Sequence, residues 1–351
     1  MDTRKIFKRK RFWAGLLLAQ FVLFYILSGT KFFVDAAAAL FEYKKVAHQT
    51  LASYIPFSLG DVLYIVVGVG LLLLLIKIFN KASRRKAFVQ LLIFINLFYF
   101  IYQLSWGMLY FQAPLTEKLP KREITVNRTK ALALLYLEKC RETRKLVDED
   151  ERGVFTFKPT SLIKLEILNR QEELPEEFKT KTATKIDAFK PSLYRGIVSY
   201  SGILGYYNPF TAEAQYNDQL PASYIPFTLA HESAHQLGFA REQEANFIGY
   251  LMGRNSENAA LRYSTEYAVL KALLNSLLEE HKPFVDSVLS QYSAEMKRDR
   301  QAEINFRNKH KGPLDVFFGI TNDLFLKSNQ QDGSVTYSYF VDLLIRYESA
   351  E

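Results

Sequence analysis

Cysteine is nearly absent: Cys140 is the single thiol in 351 residues. One thiol excludes an internal disulfide framework, and without a CxxC pair it excludes a structural thiolate zinc site. Cys140 falls in a helical pattern with Ala131, Leu132, Leu134, Leu135 and Leu137, as a packed or exposed thiol. Internal repeats and low-complexity linkers are lacking, so the chain is neither a solenoid nor a string of tethered modules. Zinc-finger, RRM and helix-turn-helix signatures are missing too. The net charge of +8 therefore carries no argument for nucleic acid, since it comes largely from Lys and Arg beside apolar runs.

Charge itself is missing from three long stretches. None occurs from Phe12 to Thr30, from Val62 to Ile76, or from Ala87 to Thr116. A bilayer core takes about 20 apolar residues per helix, so these stretches predict transmembrane spans near 12–30, 61–80 and 87–109. Trp13, Tyr64, Tyr102, Trp106 and Tyr110 fall near their ends, where interfacial aromatics collect. No small-residue cleavage site follows the first run, and two more spans come after it, so it reads as an anchor rather than a signal peptide.

Orientation follows from the basic residues. Arg4, Lys5, Lys8, Arg9, Lys10 and Arg11 precede the first span, and Lys77, Lys81, Arg84, Arg85 and Lys86 join the second to the third. The loop between the first two has only Lys31, Lys44 and Lys45, offset by Asp35 and Glu42. Both strongly basic segments are expected in the cytoplasm. The expected organisation is a basic cytoplasmic tail (1–11), a three-helix membrane region (12–113) and an extracytoplasmic domain (114–351). This makes the chain an integral protein of the plasma membrane, with the lipid bilayer as a partner.

Within the outer domain, residues 128–143 and 160–171 predict helices, with a charged loop at 145–152 between them. Asn127-Arg128-Thr129 matches a glycosylation sequon but is read as a helix N-cap. Residues 263–280, 283–301 and 337–347 predict further amphipathic helices. From Thr211, polar Thr211, Glu213, Gln215 and Asn217 alternate with small or apolar residues, as in a half-exposed strand. An edge strand here would pair with a substrate backbone by strand addition. The expected fold is a helical membrane anchor plus a mainly α, α+β domain with a small sheet.

Histidine is scarce as well, yet two of the five fall in His231-Glu232-Ser233-Ala234-His235. Residues four apart share a helix face, so both imidazoles can reach one ion. Two imidazoles with a carboxylate after the first form the HExxH pattern of zinc peptidases. In that chemistry Glu232 takes a proton from a zinc-bound water and delivers it to the leaving amine. Pro226 suits the first turn of this helix and Gly238 its C-terminal stop. Catalytic zinc needs a third protein ligand. Glu242 and Glu244 are both available on a second helical pattern, and Glu242 is favoured because Asn246 then lies one turn along the same face, where it could hold a ligand histidine.

HESAHQLGFAREQEANFIGYL, preceded by GYYNPFTAEAQ, resembles the bacterial membrane proteins grouped as domain of unknown function 3810. The phrase Ile55-Pro56-Phe57-Ser58-Leu59-Gly60-Asp61 is similar as well, as is Asp332-Gly333-Ser334-Val335-Thr336-Tyr337-Ser338-Tyr339. The likeness covers nearly the whole chain. It implies a zincin-like, glutamate-liganded metallopeptidase behind three N-terminal spans, and it supplies no substrate. The Glu242-to-Asn246 spacing also resembles the ExxxD helix of glutamate-liganded zincins, with Asn in place of Asp.

The expected function is a membrane-anchored zinc peptidase acting on a peptide or protein substrate. Zn2+ would be held by His231, His235 and Glu242 (or Glu244), with Glu232 as general base. His310, Tyr337, Tyr339 and Arg346 are candidates for stabilising the oxyanion. The alternative is a non-catalytic, metal-stabilised sensor or scaffold that binds peptides or cell-wall fragments. An intact Glu232 argues against it, because ligation alone does not use that residue.

Overall fold

A computed structural model describes residues 10–328 and 336–348. The first four helices are α1 (Lys10–Ser28), α2 (Lys31–Ser53), α3 (Leu59–Phe79) and α4 (Arg84–Ser105). Of these, α1, α3 and α4 are long and apolar enough to cross a membrane. They coincide with the three uncharged runs. Of the basic tail, Arg4, Lys5, Lys8 and Arg9 lie outside the described residues, while Lys10 and Arg11 open α1. α1 is tied to α4 by a buried polar pair, Gln20 Nε2 donating to Asn96 Oδ1 at 3.0 Å, of the kind that joins helices where lipid offers no partner.

The third span ends earlier than expected, at Ser105. Trp106 leaves helical geometry (φ −150, ψ −47), and Gly107–Phe111 continues as a 3-10 turn. α2 is an unexpected element, since the 31–58 segment carries enough charge to look like a plain loop.

The outer domain begins with α5 (Val126–Arg144) and α6 (Thr160–Arg170). The α5 N-cap is Thr125, whose hydroxyl accepts from Arg128 N at 3.3 Å, so Asn127 lies inside the first turn and the expected Asn127 cap is corrected. Then come β1 (Phe189–Pro191), α7 (Arg195–Ser199), β2 (Gly205–Asn208), β3 (Glu213–Tyr216), α8 (Ile225–Leu237) and α9 (Glu242–Gly253). The chain closes through α10 (Ala259–Leu277), α11 (Lys282–Ser290), α12 (Ala294–His310), α13 (Pro313–Ser328) and α14 (Thr336–Glu348). The helix expected over 283–301 is two helices. Ser293 breaks it by capping α12, accepting from Met296 N at 3.3 Å. The core joins α5, α8, α9, α10 and α14 through fully buried Tyr136, Leu229, Phe247, Tyr250, Tyr263 and Leu344.

The sheet overturns one expectation. Its order is β1-β3-β2, with β1 parallel and β2 antiparallel to β3. β3 is thus the central strand, and all four of its residues are buried, including Glu213 and Gln215. The edge strands are β1 and β2. The polar side of β3 is buried because it receives the start of α3: Leu59 N and Gly60 N donate to the two Glu213 carboxylate oxygens at 2.9 and 2.5 Å. The Gln215 amide lies 3.0 Å from Ser58 Oγ, the α3 N-cap. A carboxylate at free amides of a helix N-terminus is a favourable place for buried charge. Alternation along the strand was real, but its polar face meets a helix rather than water.

Candidate metal centre

α8 forms where the pattern places it. Pro226 sits in its first turn, and Gly238 ends it in the left-handed region (φ 111), with Gly238 N and Phe239 N both donating to Ala234 O. Lys45 and Gln49 of α2 satisfy the last carbonyls, donating to Leu237 O at 3.2 Å and Gln236 O at 3.4 Å. α9 packs across α8 at very short range. A methyl group on Gly249 would lie 3.0 Å from His231 N and 3.2 Å from Ala230 C, so glycine sets the crossing distance. Glu242 and Asn246 share that face of α9, two turns and one turn before Gly249 respectively.

This crossing brings His231, His235 and Glu242 together, with one ligand atom of each within 4.8 Å of the others. The two imidazoles stand perpendicular, ring centroids 4.7 Å apart. His231 Nδ1 lies 2.8 Å from Asn246 Oδ1, and His235 Nδ1 lies 2.7 Å from the Phe239 carbonyl. Both acceptors favour the tautomer protonated at Nδ1, which leaves each Nε2 lone pair free. The Nε2 atoms face Glu242, at 3.2 Å from Oε2 for His231 and 3.6 Å from Oε1 for His235. A tetrahedral cation with bonds near 2.1 Å separates its ligand atoms by roughly 3.4 Å. Two imidazoles and a carboxylate at these spacings, with outer partners already fixed, fit zinc.

Glu242 keeps 34% of its side chain exposed. Desolvation in the cleft works against its charge, but His235 and His231 outweigh it and hold the carboxyl well below the usual carboxylate range. Glu232 is different. It is 3% exposed, and its Oε2 has no hydrogen-bond partner among the described residues. Burial pushes its carboxyl up to about 8, with His231 pulling the other way and Glu242 adding to the rise. A methyl group on Gly205 would lie 2.7 Å from Glu232 Oε1, so this carboxyl sits against the start of the edge strand β2.

Glu244, the rival carboxylate, points elsewhere. Its Oε1 accepts from Leu115 N and from Arg241 Nη1, each at 2.9 Å, and ties α9 to the chain leaving α4. Of the four oxyanion candidates, three have described side chains. His310 Nδ1 donates to Phe306 O and faces the Tyr200 ring, and Arg346 pairs with Asp342. Tyr339 is exposed on α14, and the Tyr337 side chain lies outside the described residues.

An aromatic wall not anticipated from the sequence lines the cluster instead. Trp106 lies edge-on to His235 at 5.7 Å and against Tyr207 at 4.5 Å, and Tyr207 is 6.4 Å from His235. Phe41 of α2 completes the wall. Trp106 and Tyr110, expected at the lipid interface, are 5% and 3% exposed and face this site. Tyr207 is the informative member, because its hydroxyl is buried without a hydrogen-bond partner among the described residues. Burial raises its phenol well above the ordinary range, so it stays protonated and can only donate a hydrogen or accept one. The sequence signal for it was the Tyr206-Tyr207 pair just before the strand, which among 21 tyrosines had nothing to single it out.

A family model described as a protein of unknown function (DUF3810) matches residues 37–345. Neither the curated proteins nor the solved structures give a match.

Proposed function

The chain belongs to this DUF3810 family, whose description names no activity, and we propose that it is a membrane-anchored zinc peptidase with a zincin-like domain. One observation carries the reading. The Nε2 atoms of His231 and His235 and the Glu242 carboxylate converge beside a second, buried carboxylate, Glu232, that has an unpartnered oxygen. A zinc ion held by the first three supplies Lewis acidity toward a carbonyl oxygen and lowers the pKa of water. Asn246 and the Phe239 carbonyl keep the imidazoles in the ligating tautomer. Glu232 accepts a proton from the attacking water and returns it to the departing amine. β2, unpaired on its outer side among the described residues, holds the peptide substrate as an added strand next to Glu232. Zinc content and peptide hydrolysis by the purified full-length chain test the reading.

Tyr207 donates to the carbonyl oxygen as charge builds on it. Tyr207→Phe is expected to lower kcat by about 10²–10³-fold with zinc content and KM close to the parent values. An unchanged kcat removes Tyr207 from this role.

The basic tail and the basic α3–α4 loop place the domain outside the cytoplasm in this reading. Arg152 is 84% exposed on the domain and the native Cys140 is buried, so an Arg152→Cys variant gives one reactive thiol. A membrane-impermeant maleimide is expected to label it on intact spheroplasts. Labelling only after permeabilisation would invert the topology.

A further inference from the structure

α2 is built the wrong way round for a helix of a soluble domain. Its inward face carries Lys45 and Gln49, both 1% exposed, alongside Val34, Ala37, Phe41 and Ala52. Its outward face is apolar: Phe33, Leu40, Tyr43 and Leu51 recur at helical spacing, with Tyr43 83% and Leu51 63% exposed, and Tyr54 continues the stripe at 79%. Asp35, Glu42 and Lys44 lie along the flanks between the two faces.

The helix is also pinned at three places to the ends of membrane-length helices. Only Gly29 and Thr30 separate it from the end of α1, and Val34 and Ala37 pack on Phe24 of α1. In its middle, Lys44 Nζ donates to Ser105 Oγ, the last residue of α4, at 3.0 Å. At its far end the chain passes through Tyr54–Ser58 directly into α3. All three contacts are with span termini on the side of the outer domain, so they lie at one level of the bilayer. A helix of 23 residues, about 34 Å long, that touches that level at its start, middle and end must run along it.

We infer that α2 is an in-plane helix whose outward face, Phe33 to Tyr54, is buried in the lipid leaflet on the side of the outer domain. The apolar stripe with charged flanks is the pattern of a helix lying at the boundary of headgroups and acyl chains. The bilayer is the occupant because the spans on either side of α2 already hold it there. The inference stands independently of the proposed catalysis, and it has a consequence for it. Lys45, Gln49 and Phe41 couple α2 to the end of α8 and to the wall beside His235, so two rings, Phe41 and Trp106, link α2 to the metal cluster.

The test places a nitroxide at Leu40→Cys, Tyr43→Cys and Leu51→Cys, one at a time, in the full-length protein in phosphatidylglycerol–phosphatidylethanolamine vesicles. These positions are exposed, and Cys140 is buried and does not compete for label. Collision rates with oxygen and with a water-soluble nickel chelate are read by spin resonance, with Arg152→Cys as the aqueous reference. Oxygen is expected to exceed the nickel chelate severalfold at all three sites and to fall below it at 152. Nickel accessibility equal to that at 152 would overturn the inference. So would dipolar broadening that disappears on dilution with unlabelled protein, which would make a second copy of the chain the occupant.

Discussion

Glu232→Gln is expected to lower peptide hydrolysis by about 10²–10⁴-fold while the zinc stays bound, the range for loss of a positioned general base. The substitution keeps the volume of a side chain that is 3% exposed, so the change reads chemistry more than packing. It removes the one property the site uses, a carboxylate oxygen able to accept a proton where no protein group already occupies it. The fall should appear in kcat, with KM little altered, because Glu232 acts on the reacting water rather than on the bound chain. Metal analysis and steady-state kinetics on the two purified proteins measure both quantities. If the variant cleaves as fast as the parent, the peptidase mechanism is wrong. Loss of the cellular phenotype in His231→Ala but not in Glu232→Gln would then support the sensor or scaffold reading.

Glu242→Ala and Glu244→Ala are expected to separate completely. The first removes the carboxylate that faces both Nε2 atoms, and zinc content should fall from about one per chain to near zero, with activity lost. The second removes a carboxylate that holds Leu115 N and Arg241. Zinc should stay, and stability should fall by about 1–3 kcal/mol, because a buried amide loses its acceptor. Metal analysis and thermal unfolding of the two variants decide the matter. Zinc retained in Glu242→Ala would remove Glu242 from the ligand set.

Much of the site was legible because it is local. An i, i+4 pair lies on one face of any α-helix, so His231 and His235 had to point the same way once α8 formed. Pro226 and Gly238 delimited that helix through backbone chemistry alone. Glu242 and Asn246 share a face for the same reason, and Asn246 does meet His231. The choice between Glu242 and Glu244 was not local. It turned on the angle at which α9 crosses α8, which the absence of a side chain at Gly249 permits.

The misreadings share one cause. Alternating polar residues along 211–217 marked a strand, but which neighbour covers its polar face depends on α3, some 150 residues earlier. α2 was missed because its polar side chains satisfy carbonyls of α8 nearly 190 residues away, so its buried face looks solvated in sequence. Trp106 looked like a lipid anchor because it follows an apolar run, yet its ring packs on His235 and Tyr207.

By itself the amino-acid order determined where the chain is apolar enough to span a bilayer and where two imidazoles and a carboxyl share a helix. Uncharged length and a 3.6-residue period need no distant partner. Only the tertiary structure decided which strand lies at the centre of the sheet, which acid meets the imidazoles and which aromatics surround them. Those outcomes depend on contacts between segments far apart in the chain, and a pattern of polar and apolar residues records that a face is polar without recording what it meets.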